Sequence, residues 1–448
     1  MDIASVSARV AKEFVNNKQR LIDFVAIPSV SADAFDQSEL DRSAAWVAQE
    51  AQKLGLETEI IKLKTASGLV GRPAILAHRP AEPGKPTVLL YAHHDVQPEG
   101  DLALWNTAPY EATEIAGRLF GRGAADDKAG VVLHLAAISA ADPGVGITLF
   151  VEGEEEIGSP TFSDFLATYR DRLQADVVIV ADSNNWRVGV PALTTSLRGV
   201  VQVEVELSVL DHALHSGMYS GPTIDAPTLA ARLIATLHNE QGEVAVPGLI
   251  QVDETVVDYP EEQLRQDMGL LAGLQLTGTG SLTSRLWTKP TISLIGMDIT
   301  PVDISSNTLI PNVRFALSMR VAPQQDPREA AQALISHLES NVPFGAKVKV
   351  TLEEAGPGFI ADSTHPAFAE AKWALHTAWD GVEPVEIGVG GSIPFISDLA
   401  QMLPEAAILV TGVEDPDTRA HSANESLDLG DWEKAILAEA LLLSKLGE

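Results

Sequence analysis

Cysteine is missing from all 448 residues, which excludes disulfides, thiolate zinc ligands and cysteine nucleophiles. Any metal site in this chain must therefore be built from His, Asp and Glu. Basic residues are scarce: 31 Lys and Arg stand against 62 Asp and Glu, a formal charge of −31. Nucleic acid and anionic membranes are accordingly excluded as partners, because no basic patch dominates such a field. No apolar run approaches the roughly 18 residues of a membrane span. The N-terminal stretch MDIASVSARVAKEF is polar and amphipathic and lacks the apolar core of a signal peptide, so the expected location is the cytoplasm. Internal repeats and low-complexity segments are also absent.

What remains is a chain of ordinary globular composition, 45% hydrophobic and 21% charged, long enough to need two cores. Apolar positions recur at helical spacing over 5–25 and 39–54. Continuous apolar runs at 87–92, 147–151 and 176–181 read as buried strands, and they alternate with helical patterns at 128–141 and 161–173. That alternation predicts a doubly wound, mostly parallel α/β sheet. Near residue 195 the pattern changes. Residues 199–208, 312–321 and 347–353 alternate apolar and polar residues as half-exposed antiparallel strands do, with helical stretches at 226–238 and 327–340. The α/β character returns with a helix at 366–379 and the run 407–410. The expected organisation is an α/β domain over 1–195 and 361–448, interrupted by an inserted α+β domain over 196–360.

Chemistry-bearing residues gather at the ends of the apolar strands. VEGEEEIGSP follows the strand ending at Val151. Three adjacent carboxylates there are either a solvated charge run or a metal ligand beside a general base. His93 and Asp95 follow the strand at 87–92, and as residues i and i+2 of an extended segment they point the same way. Asp126 and Asp127 fall near a helix start in GRGAADDKAG, where an acidic N-cap is the plainer explanation. Asp182 ends the strand at 176–181, and His421 sits in the polar segment RAHSANES. Singly each signal is weak. Their convergence on strand ends, where α/β sheets bind ligands, favours a carboxylate- and imidazole-rich site suited to zinc, manganese or cobalt.

The ordered motifs IPSVSAD (27–33), YAHHDVQP (91–98), GRGAADDKAG (121–130), EGEEEIGS (152–159), VADS (180–183), HSGMYSG (215–221), ISSNTLIPNV (304–313), SMRVAP (318–323), GGSIP (390–394) and HSANE (421–425) carry a resemblance. Nearly the whole chain resembles the dizinc metallopeptidases that include carnosinase, cytosolic dipeptidases, aminoacylase and the succinyl-diaminopimelate desuccinylases. The long insertion and GGSIP resemble the dipeptidase branch more than the deacylase branch. The resemblance implies two divalent metal ions, zinc first, with His93 and Asp182 on one, Glu156 and His421 on the other, and Asp126 on both. It implies Asp95 as the carboxylate that orients His93, Glu155 as general base, Glu154 as a spectator, and a cis peptide between Asp126 and Asp127. His215 would stabilise the oxyanion in a partner subunit's site, and Arg320 would grip a substrate carboxylate with Asn307, Gly391 and Ser392. The expected partners are then a small peptide substrate and a second copy of the chain, joined through the inserted domain.

The expected activity is hydrolysis of dipeptides or short peptides with a free C-terminal carboxylate. Two other readings stay open at this stage. One is an N-acyl-amino-acid deacylase on the same scaffold. The other is an inactive binding protein, which complete retention of the proposed ligands and Glu155 disfavours.

Overall fold

A computed structural model describes residues 2–141, 144–253, 255–391 and 394–448. Contacts divide them into two compact units, one formed by 1–195, 361–387 and 398–448 and the other by 196–360 and 388–397. The described residues of 388–397, Gly390, Gly391 and Pro394 of GGSIP among them, cluster with the second unit rather than the first.

The first unit is built on a mixed sheet. Its strands lie in the order Glu57–Ile61, Ala74–Arg79, Gly146–Glu152, Thr87–His93, Val177–Val180, Ala407–Val410 and Ala192–Leu197. The central four, from Gly146–Glu152 to Ala407–Val410, run parallel, and antiparallel strands flank them on both sides. Nearly every residue of the parallel strands is buried, which matches their unbroken apolar runs and a sheet covered on both faces. The helices Ile3–Val25, Lys128–Ala140, Pro366–Ala378 and Leu429–Leu446 contribute to its apolar core. Parallel strands send all their C-terminal ends to one edge. The segments following His93, Glu152, Val180 and Val410 therefore leave side by side, although they come from distant parts of the sequence.

The second unit is a four-stranded antiparallel sheet in the order Thr291–Met297, Asn312–Val321, Gly199–Ser208 and Lys347–Gly356. Alternate residues Val201, Val203, Val205 and Leu207 face a core shared with Val313, Phe315, Leu317 and Met319 and with the helices Ala226–Ala235 and Pro327–Ser340. Asp326 caps the second helix by accepting the N–H groups of Arg328 and Glu329. Among the described residues no helix is long and apolar enough to cross a membrane.

Candidate metal centre

His93 is the last residue of its strand, and its ring is fixed at both nitrogens. Nδ1 lies 3.0 Å from the carbonyl of Asp95 and 3.4 Å from its carboxylate, which turns Nε2 toward Asp126 Oδ1 at 3.1 Å. The Asp95 carboxylate in turn accepts the backbone N–H groups of Glu155 and Glu156, at 3.3 and 3.0 Å. One aspartate thus ties the loop after Thr87–His93 to the loop after Gly146–Glu152. The other oxygen of Asp126 faces Nε2 of His421 at 3.0 Å, and that nitrogen lies 3.2 Å from Glu156 Oε2. The Asp126–Asp127 peptide is cis, and Asp127 Oδ2 accepts the His93 N–H.

Two groups of donor atoms result. His93, Asp126 and Asp182 each offer one atom within 4.8 Å of the others, and Asp126, Glu156 and His421 do the same. Asp126 belongs to both. The donors are imidazole nitrogens and carboxylate oxygens, the set that zinc, manganese and cobalt accept, so the residues present fit a pair of divalent ions sharing one carboxylate. The electrostatics point the same way. Burial raises Asp182 to about 6, reinforced by Asp126 and Glu156 and opposed by His93. Burial also raises Glu156, with the charge of Asp126 adding to it. Asp126 escapes this trend: burial pushes it up, but hydrogen bonds from His421 and His93 bring it below the usual carboxylate range. His421 rises to about 11 through its bonds to Asp126 and Glu156. So many carboxylates buried together repel one another, and a divalent cation is what would relieve them.

Glu155 differs from its neighbours. Its backbone is held by Asp95, yet among the described residues no hydrogen bond reaches its carboxylate. Burial drives its pKa well above the ordinary value, His93 opposes the rise, and Asp182, Glu156 and Asp126 add to it. Glu154 stands in neither donor group. It is buried, and it accepts the Thr161 N–H and hydroxyl at 2.7 and 2.6 Å and the Arg72 N–H at 3.0 Å. Sequence reasoning missed this role because a carboxylate's partners across a loop leave no local spacing to read. Two buried histidines outside the donor groups are held by other partners: His94 binds Pro73 and Ser43, and His134 lies between Glu439 and the Tyr91 carbonyl.

Within the second unit, His215 and Asn307 are neighbours. Residues Leu214–His215 pair with Thr308–Leu309, and the Asn307 carbonyl accepts the Ser216 N–H at 3.0 Å. His215 and Asn307 are both exposed. Arg320 is half-buried on Asn312–Val321, where burial lowers its affinity for a proton and the charge of Glu354 opposes that; its own charge adds to the burial that brings Arg198 down to about 10. Arg198 Nε donates to the Gly390 carbonyl at 2.9 Å and so holds the backbone that leads into Gly391. Ser392 lies outside the described residues.

A sequence profile described as peptidase family M20/M25/M40 matches residues 89–445. The cysteinylglycine-S-conjugate dipeptidase of Corynebacterium striatum is 31% identical over 417 residues, which cover 91% of this chain and 90% of that protein. The Cys-Gly metallodipeptidase dug1 of Schizosaccharomyces pombe is 30% identical over 450 residues, covering 95% and 93%. The crystal structure of human carnosine dipeptidase 1 superposes with a TM-score of 0.79 at 25% identity, covering all of both chains.

Proposed function

Because this chain belongs to the peptidase family M20/M25/M40, we propose that it is a dinuclear metal-dependent dipeptidase. The observation that carries the proposal is Asp126 standing in both donor groups, with the carboxylate of Glu155, free of hydrogen bonds among the described residues, beside them. His93 and Asp182 would hold one ion, Glu156 and His421 would hold the other, and Asp126 would serve both. Zinc is assigned first, with manganese and cobalt as the competing ions. When bound, such a pair polarises a scissile carbonyl and acidifies water.

The chain's own residues do the rest. Asp95 fixes the tautomer of His93 through its backbone carbonyl and aligns the Glu155–Glu156 segment through its carboxylate. Glu155 takes the proton of the attacking water and delivers it to the leaving amine nitrogen. Its buried setting raises its affinity for that proton, which suits both halves of the task. Arg320 grips the substrate's C-terminal carboxylate as a planar fork, with Asn307, Gly391 and Ser392 completing the pocket. His215, carried by the second unit, stabilises the developing oxyanion in a partner's site. In this reading the second unit is a lid and a dimerisation module, the working enzyme is a homodimer, and its location is cytoplasmic.

Relatives named for dipeptide hydrolysis favour this reading over an N-acyl-amino-acid deacylase. The deciding experiment is a hydrolysis screen of dipeptides and N-acetyl amino acids with zinc, manganese and cobalt in turn. Turnover of dipeptides is expected. Cleavage confined to N-acetyl amino acids would move the assignment to the deacylase, and a metal-loaded protein that cleaves no amide would end it.

A further inference from the structure

Behind Asp126 lies a buried ion pair that the reaction itself does not use. Arg122 is 2% exposed, Glu425 is fully buried, and Nη1 of the arginine donates to Glu425 Oε2 at 2.6 Å. The same Oε2 accepts the Gly123 N–H at 3.0 Å. Oε1 accepts the N–H groups of Ala125 and Asp126, at 3.0 and 3.1 Å. One carboxylate therefore takes four hydrogen bonds, three of them from the backbone that delivers Asp126. The other end of the arginine reaches elsewhere. Nη2 donates to the carbonyls of Pro98 at 3.2 Å and Ser422 at 3.3 Å, and the guanidinium lies 5.5 Å over the Trp105 ring. Pro98 follows His93 and Asp95 in one loop, and Ser422 follows His421.

We propose that Arg122 and Glu425 are a positioning pair that locks the three segments bearing His93, Asp126 and His421 into one register. The inference rests on the reading that these residues hold metal. Its physical basis is the hydrogen-bond inventory. Only a carboxylate can accept at both oxygens from four donors, and only a planar guanidinium can reach Glu425, Pro98 and Ser422 together. An amide at 425 turns an NH₂ group toward N–H donors and leaves Arg122 as an uncompensated buried charge. Because Asp126 serves both ions, loosening Glu425 disturbs both. Loosening Arg122 reaches both ions as well, since its bonds go to Pro98 in the loop of His93 and to Ser422 beside His421.

The test is a calorimetric titration of metal-free full-length protein with cobalt(II), read alongside the visible d–d spectrum. Near-UV circular dichroism would confirm that each variant is folded at the working temperature. Glu425→Gln should weaken both ions about 10–100-fold, the range typical of groups that orient metal ligands. Arg122→Lys keeps the charge and is the variant to use if Glu425→Gln does not fold. It should weaken both ions, with an altered spectrum, and Arg122→Met should weaken them further. Asp431→Ala is the control for stability alone, because that buried acid binds Gly189 and Trp379 and no segment of the site. It should lower the melting temperature and leave cobalt affinity unchanged. Unchanged affinity in folded Glu425→Gln or Arg122→Lys overturns the proposal, and so does equal weakening in Asp431→Ala. Wild-type protein that takes up fewer than two ions overturns the metal reading itself.

Discussion

Gly412 presses its backbone so tightly against Ser183 that an ideal Cβ on the glycine would stand 1.3 Å from the serine carbonyl oxygen. The obstacle is main chain, so no rotamer change relieves it. Ser183 follows Asp182, and the contact fixes where the strand Val177–Val180 hands that aspartate to the site. Gly412→Ala should cost upwards of about 3 kcal/mol and, where the protein still folds, reduce occupancy of the His93–Asp126–Asp182 group. Thermal unfolding and metal analysis check this. A variant with unchanged melting temperature and two bound ions would show that the two loops are free to separate.

Metal occupancy and turnover should come apart at Glu155. Glu155→Gln removes a proton acceptor while leaving the donor groups intact, so both ions should stay while the rate falls about 10²–10⁴-fold. His421→Ala and Asp126→Ala should lose metal as well as activity. Elemental analysis beside steady-state kinetics separates the cases, and near-normal turnover in Glu155→Gln would remove the general-base role.

Glu152 gives a pH-dependent term in stability. Burial is the main cause that lifts it from 4.5 to about 8, while hydrogen bonds from Tyr91 and Ser159 pull the other way. A raised folded-state value means that the native protein holds the proton between about pH 4.5 and 8 while the unfolded chain releases it. This contribution is therefore complete below pH 4.5 and lost as pH rises through 8. Glu152→Gln should flatten that decline and be the more stable protein at pH 9, by on the order of a few kcal/mol. Chemical denaturation of metal-free wild type and variant across this range is the measurement. Parallel curves would mean that Glu152 is ionised in the native state throughout.

If His215 acts in a partner's site, activity should be restored by mixing two dead enzymes. His215→Ala and Glu155→Ala should each be nearly inactive. In a mixed dimer the subunit keeping Glu155 receives His215 from its neighbour, so one site of two is whole. Random reassortment makes half the dimers mixed, and activity should recover to roughly a quarter of wild type. Mixed dimers confirmed by mass but without recovered activity would place His215 in its own chain's site or in none.

The centre of each unit was legible because its strands obey simple periods. Asn312–Val321 alternates in burial throughout, Gly199–Ser208 does so from Val201 onward, and Ala407–Val410 is a continuous apolar run. The flanking strand Glu57–Ile61 was not legible, since only one of its five residues is buried. Leu429–Leu446 escaped for the opposite reason. It is buried around most of its circumference, so the apolar stripe that marks an amphipathic helix is lost. The acids and histidines of the site could be found because they cluster at strand ends. Their supports could not: Glu154 binds Arg72 and Thr161, Glu425 binds 122–126, and Gly412 is required by Ser183. Such pairings exist only after folding.

The placement of Ala407–Val410 between Val177–Val180 and Ala192–Leu197 bears on how the protein is made. Both neighbours emerge from the ribosome long before it does, with the whole second unit synthesised in between. Until then the inner edge of Val177–Val180 offers unpaired backbone groups to whatever strand is near. The nascent chain must carry an open sheet through about half of its synthesis, and a message truncated before codon 407 would yield a protein with that edge permanently exposed. Such a product should associate with its own kind and become a substrate for chaperones and proteases.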